Sequence, residues 1–148
     1  MLVIGVGNPL RGDDGIGPEI IRRLKARAND ENVAFMDGGT DGLALIDPIR
    51  EYDGRVILVD AVDMKLPPGE MRIFGLEDVH IPIKSDSLST HGFGIAEMIL
   101  LMKNLEWKTN LTIIGIQPLK TGFNDKLSEP IMEKLETFIE IIEGEMTC

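Results

Sequence analysis

The hydrophobic residues of this chain follow two patterns that alternate from one end to the other. Short aliphatic runs predict β-strands, whereas apolar residues spaced three or four positions apart predict amphipathic helices. The predicted strands are residues 2–6, 33–36, 55–59, 70–75 and 111–116. The helical faces are Ile16, Ile20, Ile21 and Leu24; Leu43, Ile46 and Ile49; Ile95, Met98, Ile99 and Met102; and Ile131, Leu135, Phe138, Ile139 and Ile142.

This alternation predicts an α/β fold, a three-layer α/β/α sandwich with a mostly parallel five-stranded sheet, forming one domain over residues 1–148. The third strand is purely aliphatic after Arg55, as in strands buried on both faces. The connection 61–69 is too short for a helical crossover. Strand 70–75 is therefore expected to be antiparallel and to enter the sheet edge as a wide hairpin. Pro48 is expected to distort or shorten the second helix.

A glycine-rich segment joins the first strand to the first helix. Residues 5–17 hold five glycines, one proline and the adjacent carboxylates of Asp13 and Asp14. The turn after a strand's carboxyl end is where open α/β sheets bind ligands. A dinucleotide fingerprint would need a glycine where Leu10 stands, and two carboxylates would repel a pyrophosphate at the helix N-terminus. One aspartate is expected to cap the helix, which leaves the other for chemistry.

Composition narrows the classes of function. The formal net charge of −10 argues against nucleic acids and anionic membranes as partners and favours a metal ion or a basic protein segment. Apolar runs are too short to span a bilayer, and the N-terminus lacks a signal-peptide pattern. Cys148, the one cysteine, supplies neither a disulfide nor a zinc–thiolate cluster. We expect a cytoplasmic monomer that does not insert into membranes.

Polar residues follow most predicted strands, and parallel strands place their carboxyl ends on one edge of a sheet. Asp60 follows an aliphatic run, where a carboxylate is unfavourable unless a cation or hydrogen-bond donors satisfy it. His91 follows Ser89 and Thr90 at the expected start of the third helix, whose dipole would keep the imidazole neutral. The same edge also collects residues 8–14, residues 37–40 and Gln117.

Asp14, Asp60 and His91 together would supply two carboxylates and one imidazole. This set suits a divalent transition metal, nickel or zinc, with open coordination positions. Each residue also has a simpler interpretation: Asp14 as a helix cap, Asp60 as a hydrogen-bonded loop aspartate, and His91 as an exposed neighbour of a cap. The residues alone leave both interpretations open.

Seven short motifs occur in order along essentially the whole chain. They are Gly5-Val6-Gly7-Asn8, Asp13-Asp14-Gly15-Ile16-Gly17, Asp37-Gly38-Gly39-Thr40, Val59-Asp60-Ala61, Pro68-Gly69-Glu70, Ser89-Thr90-His91 and Gly115-Ile116-Gln117-Pro118. Taken together, these motifs resemble those of the nickel–iron hydrogenase maturation endopeptidases. The resemblance implies an endopeptidase that removes the C-terminal extension of a hydrogenase large-subunit precursor after nickel insertion.

The resemblance also implies roles for individual residues. Asp14, Asp60 and His91 are expected to be both catalytic and metal-contacting, and Asp14 replaces a glutamate found in some relatives. The nickel is expected to arrive in the precursor, so no permanent cofactor is implied. The expected substrate-recognition residues are Asn8, Asp13, Asp37, Gly38, Gly39, Thr40 and Gln117.

Two mechanisms are compatible with this resemblance. Docked nickel would polarise a carbonyl or activate water, with Asp14 and Asp60 as base and acid in either assignment. Alternatively, the two carboxylates would share a proton, as in aspartyl proteases. A non-proteolytic nickel-binding chaperone or docking module for the same precursor is the main rival. A Rossmann-type enzyme is disfavoured by the missing glycine and the acidic loop.

Overall fold

Strands and helices alternate along residues 1–79 and 94–148, the part of the chain that the computed structural model describes. Two short 3-10 turns, Gly12–Gly15 and Leu76–Asp78, accompany the longer elements. The alternation confirms the predicted α/β class. In chain order the elements are β1 (Leu2–Val6), α1 (Ile16–Arg27), β2 (Ala34–Gly39), α2 (Gly42–Glu51), β3 (Arg55–Ala61), β4 (Met71–Gly75), α3 (Ile95–Asn104), β5 (Asn110–Ile116) and α4 (Glu129–Thr147).

The sheet has the strand order β2-β1-β3-β5-β4, with β4 antiparallel to β5 and the other pairs parallel. This confirms the mostly parallel sheet with an antiparallel edge strand. The expected hairpin is wrong, because β5 lies between β3 and β4. The chain reaches the edge by crossing the end of β5, where the Gly69 amide donates to the Gln117 carbonyl (2.8 Å) and the Gln117 amide donates to the Glu70 carbonyl (2.8 Å).

Alternating strand residues contribute to two separate hydrophobic layers, one on each face of the sheet. Val3, Ile57 and Val59 pack beneath α1 and α4, whereas Ile4 and Leu58 pack beneath α2 and α3. Because side chains along a strand alternate between faces, a residue two positions beyond Leu58 faces α2 and α3. No helix among the described residues is long and apolar enough to cross a bilayer.

The observed boundaries differ most from the predicted ones at β2, α2 and α3. Strand β2 continues to Gly39, because its pairing with β1 extends to Val6 opposite Gly39. Helix α2 runs through Pro48 to Glu51 instead of stopping there; Leu45 and Ile49, both fully buried, hold the turns on either side of the proline against the sheet. Helix α3 begins at Ile95, and its expected start at His91 lies outside the described residues.

Glycines bring α1 into backbone contact with the middle of the sheet. A Cβ atom on Gly17 would collide with the carbonyl oxygen of Val6 and lie 2.7 Å from that of Val59. A Cβ atom on Gly5 would likewise collide with the Gly17 carbonyl. The helix can therefore lie this low across β1 and β3 only because these positions have no side chain.

Replacing Gly17 by alanine tests this contact. We expect Gly17→Ala to lower the free energy of unfolding by about 3 kcal/mol, because backbone atoms rather than a flexible side chain must move aside. Urea denaturation followed by circular dichroism measures the change.

The matched control is Gly144→Ala in α4, where the added Cβ would meet nothing within 4 Å. We expect this variant to be more stable by about 0.5–1 kcal/mol, since alanine favours the helix. A Gly17→Ala protein as stable as the Gly144→Ala protein would refute the backbone contact.

Candidate active site

The candidate active site lies where the parallel strands end. Asp60 is the penultimate residue of β3 and pairs in register with Gly115 of β5. Asp14 belongs to the 3-10 turn Gly12–Gly15, which links the loop after β1 to α1. Two aspartates that are distant in sequence therefore stand at the same rim of the sheet.

Asp14 is held over the end of β1 by its backbone and by its side chain. Gly7 has a positive φ of 135°, and a Cβ atom there would collide with the Asp14 carbonyl oxygen. Only glycine adopts such a conformation readily. The Asn8 amide donates a hydrogen bond to Asp14 Oδ2 (2.8 Å). The turn thus fixes one carboxylate oxygen and leaves the group at the rim.

Asp60 faces the layer that contains α2 and α3, and its side chain is half-buried. Burial is the main cause that raises its pKa, and the nearby negative charge of Asp14 raises it further, to about 8, although a hydrogen bond from the backbone of Ala61 opposes the rise. At neutral pH Asp60 therefore favours its protonated form. A carboxyl group that holds its proton beside a second carboxyl group is one arrangement that suits acid–base catalysis.

A cavity of about 740 Å³ opens beside Asp60. Its wall is largely apolar and includes Leu58 of β3, Phe74 of β4, and Ile95 and Ile99 of α3. Helical periodicity predicted only a core position for Ile95 and Ile99. The sequence feature that could have placed them near the site is that they follow shortly after Ser89-Thr90-His91.

The third expected member of the site, His91, lies outside the described residues, as do Ser89 and Thr90. Within the described ranges no group of three or more His, Cys, Asp or Glu residues could hold a metal ion. The carboxylates of Asp14 and Asp60 are suitable donors for a divalent transition metal, but two residues leave most of its coordination positions open. The three-residue ligand set stays a prediction.

Asp13 does not have the substrate-contacting position that the sequence analysis gave it. Its side chain is fully buried and accepts hydrogen bonds from the amides of Leu119 (2.9 Å) and Lys120 (3.1 Å). It also accepts from the amide and the hydroxyl of Ser128, both at 2.7 Å. Asp13 therefore anchors the segment between β5 and α4.

The expected aspartate cap of α1 is also wrong. The N-cap residue is Gly15, and no side-chain capping bond is formed there within the described structure. The 3-10 turn ahead of the helix directs Asp13 toward the loop before α4 and Asp14 toward Asn8.

Gln117, another expected recognition residue, is also largely buried and hydrogen-bonded within the protein. It is 6% exposed, and its Oε1 atom accepts from the amides of Met64 (2.7 Å) and Leu66 (3.2 Å). Its Nε2 atom donates to Asp63 Oδ1 (3.3 Å). Gln117 therefore shapes the connection between β3 and β4, and its role in substrate recognition stays a prediction.

The other expected recognition residues lie at the rim, some on one face of the sheet and some on the other. Asp37 faces α1 and lines a second cavity of about 340 Å³ together with Glu19 and Arg22. Gly38 packs onto the core, since a Cβ there would lie 2.7 Å from Val6 Cγ1. Asn8 is half-buried next to Asp14, and Gly39 and Thr40 are exposed.

The segment between β5 and α4 also reaches the rim, and no sequence pattern predicted a role for it beyond Gln117. Leu119 and Phe123 are 52% and 68% exposed there, although both are large apolar residues. The available signal was their position on either side of the run Lys120-Thr121-Gly122, in a segment without strand or helix periodicity.

Comparison with known proteins places these features in a family. A family model described as hydrogenase maturation protease matches residues 18–145. The hydrogenase 3 maturation protease of Escherichia coli strain K12 is 34% identical over 144 residues, which are 97% of this chain and 88% of that protein. The solved structure of the hydrogenase maturating endopeptidase HybD from E. coli has a TM-score of 0.76 and 26% identity, and the match covers 99% of this chain and 91% of HybD.

A longer relative matches as well. The hydrogenase expression/formation protein HupD of Thiocapsa roseopersicina is 35% identical over 146 residues, 95% of this chain. The match covers 65% of HupD, so this chain spans about two thirds of that relative's length.

The raised pKa of Asp60 predicts a pH-dependent stability. Between its unfolded value of 3.8 and about 8 in the folded protein, the folded state keeps a proton that the unfolded state releases. The contribution of Asp60 to stability is therefore lost as pH rises through this window. In buffer that contains a metal chelator, we expect the free energy of unfolding of Asp60→Asn to equal that of the wild type near pH 4. At pH 8 it should exceed the wild-type value by about 2 kcal/mol. Urea denaturation at the two pH values measures the difference.

Asp63→Asn provides the control of opposite sign. A hydrogen bond from Lys65 lowers the pKa of Asp63, so its replacement should slightly destabilise the protein above pH 4. An Asp60→Asn variant that is no more stable than the wild type at pH 8 would contradict the conclusion that burial and the charge of Asp14 disfavour the ionised form of Asp60.

The four hydrogen bonds to Asp13 predict a stability defect in Asp13→Asn. The amide NH₂ would face donors instead of accepting from them, so we expect a loss of about 3 kcal/mol and faster hydrogen exchange at Leu119, Lys120 and Ser128. The control is Asp37→Asn, an exposed side chain that accepts one bond from the Gly39 amide (3.0 Å) and should change stability by less than about 0.5 kcal/mol. Equal stability of the two variants would refute the anchoring role.

Proposed function

Because the chain belongs to the hydrogenase maturation protease family, we propose that it is an endopeptidase acting on the large-subunit precursor of a nickel–iron hydrogenase. It removes the precursor's C-terminal extension after nickel has been inserted. The observation that carries this proposal is the convergence of Asp14 and Asp60 at one rim, close enough for the charge of one to raise the pKa of the other.

The unequal environments of the two carboxyl groups provide an acid and a base. Asp60, with a pKa of about 8, enters the reaction protonated and can donate its proton to the leaving amine. Asp14 is the better candidate for the base, because its carboxylate lies at the rim with one oxygen fixed by the Asn8 amide. This assignment chooses between two roles that the sequence left interchangeable.

The nickel is bound to the precursor and is therefore part of the substrate. Asp14, Asp60 and His91 would contact it, and the chain length between His91 and Ile95 allows this, since four residues span up to about 14 Å. Ile95 lines the cavity into which Asp60 opens.

An aspartyl-protease pair is the alternative chemistry at the same residues. Burial is the main cause of the raised pKa of Asp60, and the charge of Asp14 raises this pKa further, as two carboxyl groups that share one proton would do. The two routes differ in their requirement for the metal. A pair that shares a proton would cut a nickel-free precursor, whereas a nickel-dependent enzyme would not.

The exposed rim and the cavity suggest how the precursor's tail is held. Gly39 and Thr40 are exposed beside the end of β1, and the Gly39 carbonyl accepts from the Gly7 amide (2.9 Å). The apolar cavity beside Asp60 has room for a hydrophobic side chain of the tail. We propose that Asn8, Gly39 and Thr40 contact the tail directly and that the reaction takes place in the cytoplasm.

Cleavage of purified nickel-loaded precursor, followed by intact-protein mass spectrometry, tests the proposal. We expect the wild type to remove a mass equal to the C-terminal extension. Asp14→Asn, Asp60→Asn and His91→Ala should each reduce the rate at least about 100-fold, because each removes an acid–base or nickel-contacting group. Circular dichroism of each variant verifies that the fold persists.

Asp53→Asn is the matched control, since Asp53 is an exposed aspartate just before β3, at the opposite end of that strand. Its rate should stay within twofold of the wild type. Precursor binding without loss of mass would instead identify a chaperone. Equal cleavage of nickel-free precursor would establish the aspartyl-protease route.

A further inference from the structure

Three exposed apolar side chains lie on two loops at the rim that carries Asp14. Leu10, 59% exposed, belongs to the loop after β1. Leu119 and Phe123, 52% and 68% exposed, belong to the segment between β5 and α4. We refer to these three residues as the loop patch. Exposed apolar groups concentrated in this way on a protein surface commonly mark an interaction site.

Hydrogen bonds between backbones hold the two loops together. The Asn124 amide donates to the Leu10 carbonyl (2.7 Å), and the Gly12 amide donates to the Asp125 carbonyl (3.1 Å). The Asp13 amide donates to the Lys120 carbonyl (2.9 Å). The buried Asp13 carboxylate also holds the second loop in place. Because these bonds fix the backbones of both loops, the apolar side chains of the loop patch remain exposed.

Basic side chains surround the loop patch in a chain whose net charge is −10. Arg11, Lys120 and Lys126 are all exposed, and none of them forms an ion pair within residues 1–79 and 94–148. Of the acidic residues on the two loops and the adjoining turn, Asp13 is buried and hydrogen-bonded, and Asp14 and Asp125 are half-buried. The fully exposed charged side chains of the two loops are therefore all basic, opposite in sign to the net charge of the whole molecule.

The loop patch is continuous with the candidate active site. The Asp14 amide donates to the Arg11 carbonyl (3.1 Å), and the Arg11 amide donates to the Asn8 carbonyl (3.0 Å). A folded substrate whose tail reaches Asp14 and Asp60 must place its body over part of the surrounding rim. The loops that carry the patch stand directly beside Asp14 on that rim.

We propose that the loop patch docks the folded body of the protein substrate, through a surface with apolar side chains surrounded by acidic ones. This inference rests on the proposed function and adds to it a second contact, separate from the residues that hold the tail. Apolar contact supplies affinity at such a surface, while opposite charges accelerate encounter and reject basic partners.

Steady-state cleavage of nickel-loaded large-subunit precursor tests the apolar part of the proposal. We expect Phe123→Ser to raise KM about tenfold and to leave kcat within twofold, because docking is weakened and the reacting groups are untouched. The control is Leu105→Ser, which should leave KM unchanged. Leu105 is 51% exposed and directly follows α3, close to the beginning of β5 and so away from the strand ends that form the rim.

The salt dependence tests the electrostatic part. For the wild type, kcat/KM should fall as salt is increased, and Lys120→Glu should lower kcat/KM and flatten that dependence. Lys108→Glu makes the same charge change at an exposed residue in the turn between α3 and β5 and should behave like the wild type.

Several outcomes separate this inference from the proposed function. If the wild type does not cleave, calorimetric titration of the precursor into wild type and Phe123→Ser still measures docking. Equal KM and equal affinity for Phe123→Ser and Leu105→Ser would overturn the inference while leaving the peptidase intact. A wild-type dimer that becomes monomeric in Phe123→Ser, with KM unchanged, would show that a second copy of the chain covers the patch and would also overturn it.

Discussion

The backbone contact between α1 and the middle strands is the constraint on which the site depends. Gly17 lies against the Val6 and Val59 carbonyl groups, and Gly7 lies against the carbonyl of Asp14. Because the helix lies so close to the sheet, the turn before it ends directly above the carboxyl end of β1. That turn carries Asp14 to the rim where β3 presents Asp60. The close packing of α1 on the sheet therefore determines the position of Asp14 in the candidate active site.

Two adjacent aspartates serve different purposes because of the turn that holds them. A 3-10 turn has three residues per turn, so successive side chains point about 120° apart. Asp13 turns into the protein and satisfies donors on the loop before α4, whereas Asp14 stays at the rim. The same short turn therefore fixes the loops of the patch and places a carboxylate for chemistry. Neither aspartate needs to cap α1 for this arrangement to hold.

The electrostatics of the rim are unfavourable in the free protein. Asp60 is half-buried near a second carboxyl group in a chain of net charge −10, so its ionised form is disfavoured. Such local conflicts with stability concentrate at functional sites. A docked cation would relieve the repulsion between Asp14 and Asp60, and binding energy of that kind stabilises the folded protein. The half-buried carboxyl group of Asp60 is therefore consistent with a site that a cation-bearing substrate completes.

Hydrophobic periodicity was sufficient to predict the element types, the mostly parallel sheet and the rim where Asp14 and Asp60 converge. These features follow from neighbouring residues and from the rule that parallel strands end on one edge. The metal-contacting role of His91 stays a prediction from sequence.

Other features depended on contacts between residues far apart in the chain. Asp13 is buried by Ser128, 115 residues away, and Gln117 by Met64, 53 residues away, so no local pattern distinguished them from exposed rim residues. The position of β5 between β3 and β4, and the alternation that points Asp37 toward α1, were likewise decided by strand pairing. Sequence determined which groups reach the rim; tertiary packing determined which of them remain accessible, because burial arises from the elements that meet there.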